Sequence, residues 1–347
     1  MNVLVAGGTG FVGTALCEEL AERGHDVVAL ARSPGTASFD PDYADDIRTV
    51  AGDVTAFDSI RPHVEGVDCV VNLVALSPLF KPSGGYERHF DVHLGGTENL
   101  VRAAQEAGVR KFVQQSGLDA STGSDTAYLR SKGEAEAVVR ESGLDWTIFR
   151  PSVIFGEGDE FVGFTKMLAP PYLSPLPGGG ETPFQPIWVE DFVAMMADAV
   201  EGRAPDEAAD ADETAEDADE EDADAEEPVE DADEADPHVG QTYEIGGPEV
   251  LTMAEVARLA HAADNKPVRV IDVPMPLAGI GLSLLDYVPG SPFGGDQYRS
   301  LRVDNTVEHN DIDAFGVSED DLTTLQEYLG VTDERLRELD RHQGEAV

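Results

Sequence analysis

The sequence predicts an α/β fold, a parallel sheet doubly wound by helices, with a smaller C-terminal domain. Short apolar runs rich in Val and Ile alternate with amphipathic stretches over the first two hundred residues. The runs lack the strict alternation of half-buried strands and so read as strands covered on both faces. The stretches between them are long enough for the crossover helices that parallel strands require.

Taken in order, VLVA at 3–6 is the first strand, and it runs straight into GGTGFVG and an apolar helix over 11–23. VVALA at 27–31 is the second strand, and a third precedes the GDV of 52–54. CVVNLV at 69–74 is the fourth, followed by a crossover helix over 95–107. FVQQS at 112–116, WTIFR at 146–150 and PIWV at 186–189 continue the series, with a helix over 191–201 and a strand at 242–245. Farther on, Thr252 with Glu255 three residues later forms a capping box. A strand at 268–273 and two late helices follow. The expected organisation is a nucleotide-binding domain over 1–201, with 151–183 contributing to the substrate side. An acidic, disordered insertion spans 204–238. Of the remainder, 241–247 returns to the sheet and 248–347 forms the small C-terminal domain.

Charge narrows the function. The chain has 69 Asp and Glu against 23 Lys and Arg, a net charge of −46, which repels nucleic-acid phosphate and excludes that partner. Between 206 and 236 there are 19 acids and no base, a composition that stays solvated. The rest of the chain is strongly acidic too, and only five residues are Lys: Lys81, Lys111, Lys132, Lys166 and Lys266. Such a surface suits a halophilic cytoplasm, where salt screens self-repulsion. Cys17 and Cys69 form no disulfide framework or metal pattern and read as core. The N-terminus begins a strand with no signal-peptide pattern, so the expected location is cytoplasmic. The apolar stretch 274–285 is shorter than the ~20 residues that span a bilayer. It reads as a buried helix of the second domain, the alternative being a contact with a partner or the inner face of a membrane.

The glycines Gly7, Gly10 and Gly13, between strand and helix, form a dinucleotide cradle of Rossmann type. Gly7 permits the tight turn, Gly10 the approach of a pyrophosphate and Gly13 close helix–strand packing, with phosphate at the helix N-terminus. Thr9, Phe11 and Val12 belong to this turn, and Leu73, Val74 and Ala75 end the fourth strand beside it. An acid ending the second strand would select NAD; here Arg32 stands, placed to pair with a 2′-phosphate. NADP(H) is preferred, with NAD(H) open. Asp53 and Val54 could flank the adenine, or Asp53 could cap the following helix.

Tyr128 and Lys132 form YxxxK, one helical turn apart on one face. A nearby ammonium is expected to lower the phenol pKa and make Tyr128 a usable acid or base. His89 and His93 share an i,i+4 face, but HFDVH has no third ligand, and no metal site is assigned.

With GGTGFVG, GDV, NLVA at 72–75, GTENL at 96–100, YLRSK at 128–132, RPSVIFG at 150–156 and PIWVEDF at 186–192, the chain resembles the short-chain dehydrogenase/reductase superfamily. The similarity is to its extended or atypical branch, which includes NAD-dependent epimerases and dehydratases. Within that branch, FRPSVIFGEGDEF and DAFGVSEDDLTTLQEYL resemble the group of the NADPH-binding accessory subunit of respiratory complex I. The resemblance implies that Tyr128 is the acid/base, that Lys132 holds the nicotinamide ribose and tunes the phenol, and that Ser116 polarises the substrate oxygen. Ser121 is a second candidate for that last role. Ala75, Pro151 and Ser152 would line the nicotinamide end. His93 stands where family members often carry Asn and could still bond or relay a proton. Two functions follow as expectations. One is an oxidoreductase or epimerase acting on a small-molecule carbonyl or secondary alcohol. The other is a non-catalytic NADP(H)-binding accessory or assembly subunit, peripheral to a membrane complex.

Overall fold

The computed structural model describes residues 1–36, 38–205, 235–285, 295–300 and 302–344. Seven strands form one parallel sheet: β1 (Asn2–Ala6), β2 (Asp26–Ala31), β3 (Ile47–Ala51), β4 (Cys69–Asn72), β5 (Lys111–Gln115), β6 (Asp145–Pro151) and, late in the chain, β11 (Gln241–Ile245). Their order is β11-β6-β5-β4-β1-β2-β3. The chain leaves β1 toward β2 and β3, then crosses back to β4 on the other side. That reversal opens a crevice at the carboxyl ends of β1 and β4, where ligands of doubly wound sheets bind.

Both faces of the sheet are covered, which is why the strands read as unbroken apolar runs. Helices α1 (Phe11–Glu22) and α7 (Val189–Glu201) bury Leu16, Leu20, Phe192 and Met196 against Val3, Val5, Val71 and Phe149. On the opposite face, α2 (Phe57–Ile60), α4 (Gly95–Ala107) and α5 (Ala127–Glu141) contribute Ile60, Leu100, Ala104 and Val139 against Leu4, Val28, Val70 and Phe112. The short α3 (Glu87–His89) leads through a π-turn over Phe90–Leu94 into α4. Burying a Leu or Phe side chain is worth about 1.5–3 kcal/mol, so these two layers dominate stability.

Beyond β6 the chain builds a second core from β7 (Ile154–Phe155), α6 (Phe161–Leu168), β8 (Tyr172–Pro177), β9 (Pro183–Phe184), β10 (Ile187–Trp188), β12 (Leu251–Thr252), α8 (Met253–Ala263) and β13 (Val268–Val273). Phe155, Phe161, Leu176, Val256, Leu259 and Leu325 pack together there. The capping box at Thr252 and Glu255 is formed.

Several expectations change. The PIWV run is not a main-sheet strand, since among the described residues β10 pairs only with β7. Residues 248–347 are not one separate domain: Ile312, Phe315 and Leu322 return to the sheet core, and Phe315 stacks on Phe149 at 5.6 Å. Of the disordered acidic insertion expected over 204–238, residues 206–234 lie outside the described residues, whereas 235–238, expected to be disordered with them, are packed. Lys111 pairs with Asp236, and buried His238 stacks on Phe315 at 4.9 Å and hydrogen-bonds the Tyr243 hydroxyl. Burial lowers the His238 pKa, so it packs as a neutral ring. In the helix Met275–Leu285, expected to be buried, Leu277 and Leu284 are exposed. Among the described residues no helix is long and apolar enough to cross a membrane.

Candidate functional site

The glycine-rich turn is set by sterics. Gly7 holds φ +88° and its amide donates to the Leu30 carbonyl at 2.9 Å, tying the turn to β2. A Cβ on Gly13 would lie 2.1 Å from the Gly7 carbonyl oxygen, so only glycine lets α1 approach the strand this closely. Gly8 is equally constrained, because its Cβ would lie 2.8 Å from Ala29. The glycine spacing gave Gly8 no role, since the clash partner belongs to another strand. Gly10 caps α1 without a side-chain acceptor, which leaves first-turn amides to a ligand.

A cavity of about 320 Å³ opens above this turn. It gathers Gly7, Thr9, Gly10, Arg32, Asp53, Val54, Leu73, Val74 and Ala75, which the sequence placed in one site. Asp53 performs the local task as well. Its carboxylate accepts the Thr55 amide at 2.9 Å and the Thr55 hydroxyl at 2.8 Å, and these bonds, aided by Arg32 and Arg88, hold it below the usual carboxylate range. Arg88, in the middle of the three-residue α3, is a wall residue that sequence reasoning missed. Its guanidinium donates to Asp91 at 3.1 Å. As one arginine among 18, it carries no spacing signal.

A second cavity, of about 530 Å³, shares Gly7, Gly10, Leu73 and Ala75 and continues over Phe11, Val12 and Gly13 to Ser116, Tyr128, Pro151 and Ser152. Thr126 caps α5 by accepting the Leu129 amide, and Asp296 accepts the Ala127 amide, so Tyr128 stands on a fixed first turn. Farther along, buried Glu136 clamps Arg150 of β6 through both carboxylate oxygens, at 2.9 and 2.7 Å.

Lys132 is buried; its Nζ donates to the Gln115 carbonyl at 2.9 Å and lies 5.9 Å from the Tyr128 ring centre. The expected lowering of the phenol pKa does not occur. Desolvation pushes Tyr128 up to about 12 and Lys132 down to about 8, because burial disfavours the charged form of each. Tyr128 is therefore a protonated donor at neutral pH. The buried Ser116 hydroxyl has no hydrogen-bond partner among the described residues, and it lines the same cavity. Ser121, the other candidate, is exposed, and its hydroxyl accepts the Gly123 amide. Its backbone is backed instead against Gly133, where a Cβ would lie 2.4 Å away. Ser152 spends its hydroxyl on Asn305, a cavity residue brought in from 153 positions away and invisible to local pattern.

Both ring nitrogens of His93 are engaged. The Leu76 amide donates to its Nε2 at 2.9 Å, which leaves Nδ1 to donate to Ser131 Oγ at 2.8 Å, and Ser131 donates onward to the Tyr128 carbonyl. Burial drives the His93 pKa down to about 2, so the ring stays neutral. Its work is to tie the loop after β4 to α5. Tyr128 packs edge-on to both His89 and His93, at 5.6 and 5.3 Å.

The two cavities together fit a dinucleotide: a glycine cradle closed to side chains, cationic side chains at one end, and at the other a cavity lined by both the unpartnered Ser116 and Tyr128. Comparison with known proteins agrees with that geometry. The NAD(P)H-binding family matches residues 7–165. The chain is 28% identical to the Arabidopsis thaliana mitochondrial NADH dehydrogenase (ubiquinone) 1 alpha subcomplex subunit 9, over 88% of this chain and 71% of that protein. It is 35% identical to a 3-beta-hydroxysteroid dehydrogenase of Mycolicibacterium neoaurum, over 46% of this chain and 49% of the other, so that match spans about half of each. A nucleoside-diphosphate-sugar epimerase from Staphylococcus aureus superimposes with a TM-score of 0.65 at 18% identity, covering 95% and 99% of the two chains, a likeness of fold.

Proposed function

We propose that this chain, whose residues 7–165 match the NAD(P)H-binding family, is an oxidoreductase of the extended short-chain dehydrogenase/reductase type acting at a carbonyl or secondary alcohol. The observation that supports this most is the unpartnered, buried Ser116 hydroxyl in the same cavity as Tyr128. A bound reduced nicotinamide cofactor supplies hydride. Tyr128, protonated at neutral pH, donates the proton to the substrate oxygen, and Ser116 donates a second hydrogen bond to that oxygen. The Lys132 ammonium offsets the charge that appears on the phenol as its proton leaves.

The preferred cofactor in this reading is NADP(H). Arg32 and Arg88 border the same cavity with no acid ending β2, and a guanidinium pairs well with a phosphate monoester. Arg32→Ala and Arg88→Ala are each expected to weaken NADPH binding about tenfold, the worth of one charge-assisted hydrogen bond, while leaving NADH within about twofold. Fluorescence titration with both nucleotides checks this; equal losses for the two would assign the arginines to packing.

A second reading is favoured by the extent of the match to the alpha subcomplex subunit, which covers 88% of this chain. In it the protein binds NADP(H) as a non-catalytic accessory or assembly subunit, peripheral to a membrane complex. A carbonyl panel run with NADPH separates the two: turnover supports the enzyme, and tight binding without turnover supports the accessory subunit.

A further inference from the structure

We propose, resting on the oxidoreductase reading, that the substrate is an uncharged carbonyl compound, or its alcohol, carrying a large apolar substituent, and that nucleoside-diphosphate sugars are excluded. The walls of the cavity beside Tyr128 carry the argument. Leu76, Leu79, Leu118, Leu129, Ile154 and Phe161 face it, and among the described residues lining it none is Lys, Arg or His. Apart from Tyr128 itself, the lining holds one ionisable group, Glu160, exposed at the head of α6.

A diphosphate brings two negative charges that need cations or helix N-termini to replace their water. The α1 N-terminus that lines the cavity is taken in this reading by the cofactor's own pyrophosphate, so a second diphosphate would meet the Glu160 carboxylate and apolar side chains within a chain of net charge −46. The arginines of the site, Arg32 and Arg88, border the other cavity, beyond the glycine turn. At the reacting end, Ser116 and Tyr128 offer two hydroxyl donors and so call for one oxygen acceptor. An apolar ketone meets both requirements, with its oxygen on the two hydroxyls and its substituent along the leucines. The reduction balances with hydride added at the carbonyl carbon from the reduced nicotinamide and a proton added at oxygen from Tyr128, which water then reprotonates.

The test uses the full chain in molar salt and a series of 2-alkanones from butanone to undecanone, with UDP-glucose and a keto acid paired with its methyl ester. Calorimetric binding is measured with and without NADPH, alongside NADPH oxidation. Each added methylene should tighten binding about threefold to fourfold until the cavity is full, as burial of one CH₂ predicts. The ester should be preferred to the keto acid, and Glu160→Gln should narrow that preference about threefold. UDP-glucose should neither bind nor react. Binding of UDP-glucose, preference for the keto acid, or affinity independent of chain length overturns the proposal, as does failure of the longer alkanones to bind. Chain-length-dependent binding with no NADPH oxidation upholds the apolar site and overturns the oxidoreductase reading instead.

Discussion

Replacing Tyr128 with Phe is expected to lower carbonyl reduction by about 10² to 10⁴, the usual worth of a positioned general acid, with NADPH affinity unchanged. The change deletes one oxygen and keeps the ring, so the edge-on contacts with His89 and His93 persist and the protein should melt with the wild type. Steady-state kinetics beside a nucleotide titration separate the two effects. A rate within a few fold of wild type would remove Tyr128 from the chemistry. The pH profile adds an independent check. Tyr128, at about 12, stays protonated across the working range, whereas Lys132, at about 8, does not. Reduction should hold level below pH 8 and decline above it, as the ammonium that offsets the developing phenolate is lost. In Lys132→Met that limb should disappear together with most of the rate.

Gly13→Ala is expected to damage both fold and cofactor site. Its Cβ would sit 2.1 Å from the Gly7 carbonyl oxygen and 2.8 Å from Gly8 Cα, backbone atoms that cannot rotate away. Helix α1 must withdraw, at a cost of about 1–3 kcal/mol, the range for overpacking, and the amides aimed at the pyrophosphate move with it. NADPH affinity should drop by about a hundredfold, since roughly 2.7 kcal/mol of aligned hydrogen bonds corresponds to that ratio. Gly10→Ala is the informative contrast. Its Cβ would meet only the Gly7 carbonyl oxygen, at 3.2 Å, so stability should change little while the cofactor, which must approach that face, binds more weakly. Thermal melts and NADPH titrations of both variants test this. Equal melting temperatures for Gly13→Ala and wild type would mean that the helix has more room than the turn geometry allows.

Much of the frame was legible because it rests on local pattern. Strands buried on both faces cannot alternate, so the runs at β1, β2, β4, β5 and β6 stood out, and the 95–107 helix coincides with α4. The glycine spacing and YxxxK are likewise short-range signals. What escaped reading depends on partners far away in the chain. PIWV has the composition of a strand but, among the described residues, only the two-residue β7 to pair with. Arg88, on α3, lines the cofactor cavity, and Asn305 reaches Ser152 because the chain returns after the second core. Ser116 was the first candidate in sequence and Ser121 the second; a close approach to Gly133 holds the Ser121 loop against α5, and Ser116 is the serine that lines the cavity.

The same division runs through the electrostatics. A phenol next to a lysine suggested a lowered pKa, but the sign depends on how much water each group retains, and burial raises Tyr128 while lowering Lys132. By itself the sequence determined the parallel α/β frame, the dinucleotide turn and the residues from which a site could be made, since periodicity and glycine sterics act over a few neighbours. Only the tertiary structure decided which serine faces the cavity, why His93 stays neutral and that Phe315 closes the sheet core. Those outcomes depend on burial and on hydrogen bonds between residues tens to hundreds of positions apart, whose distances no local pattern encodes.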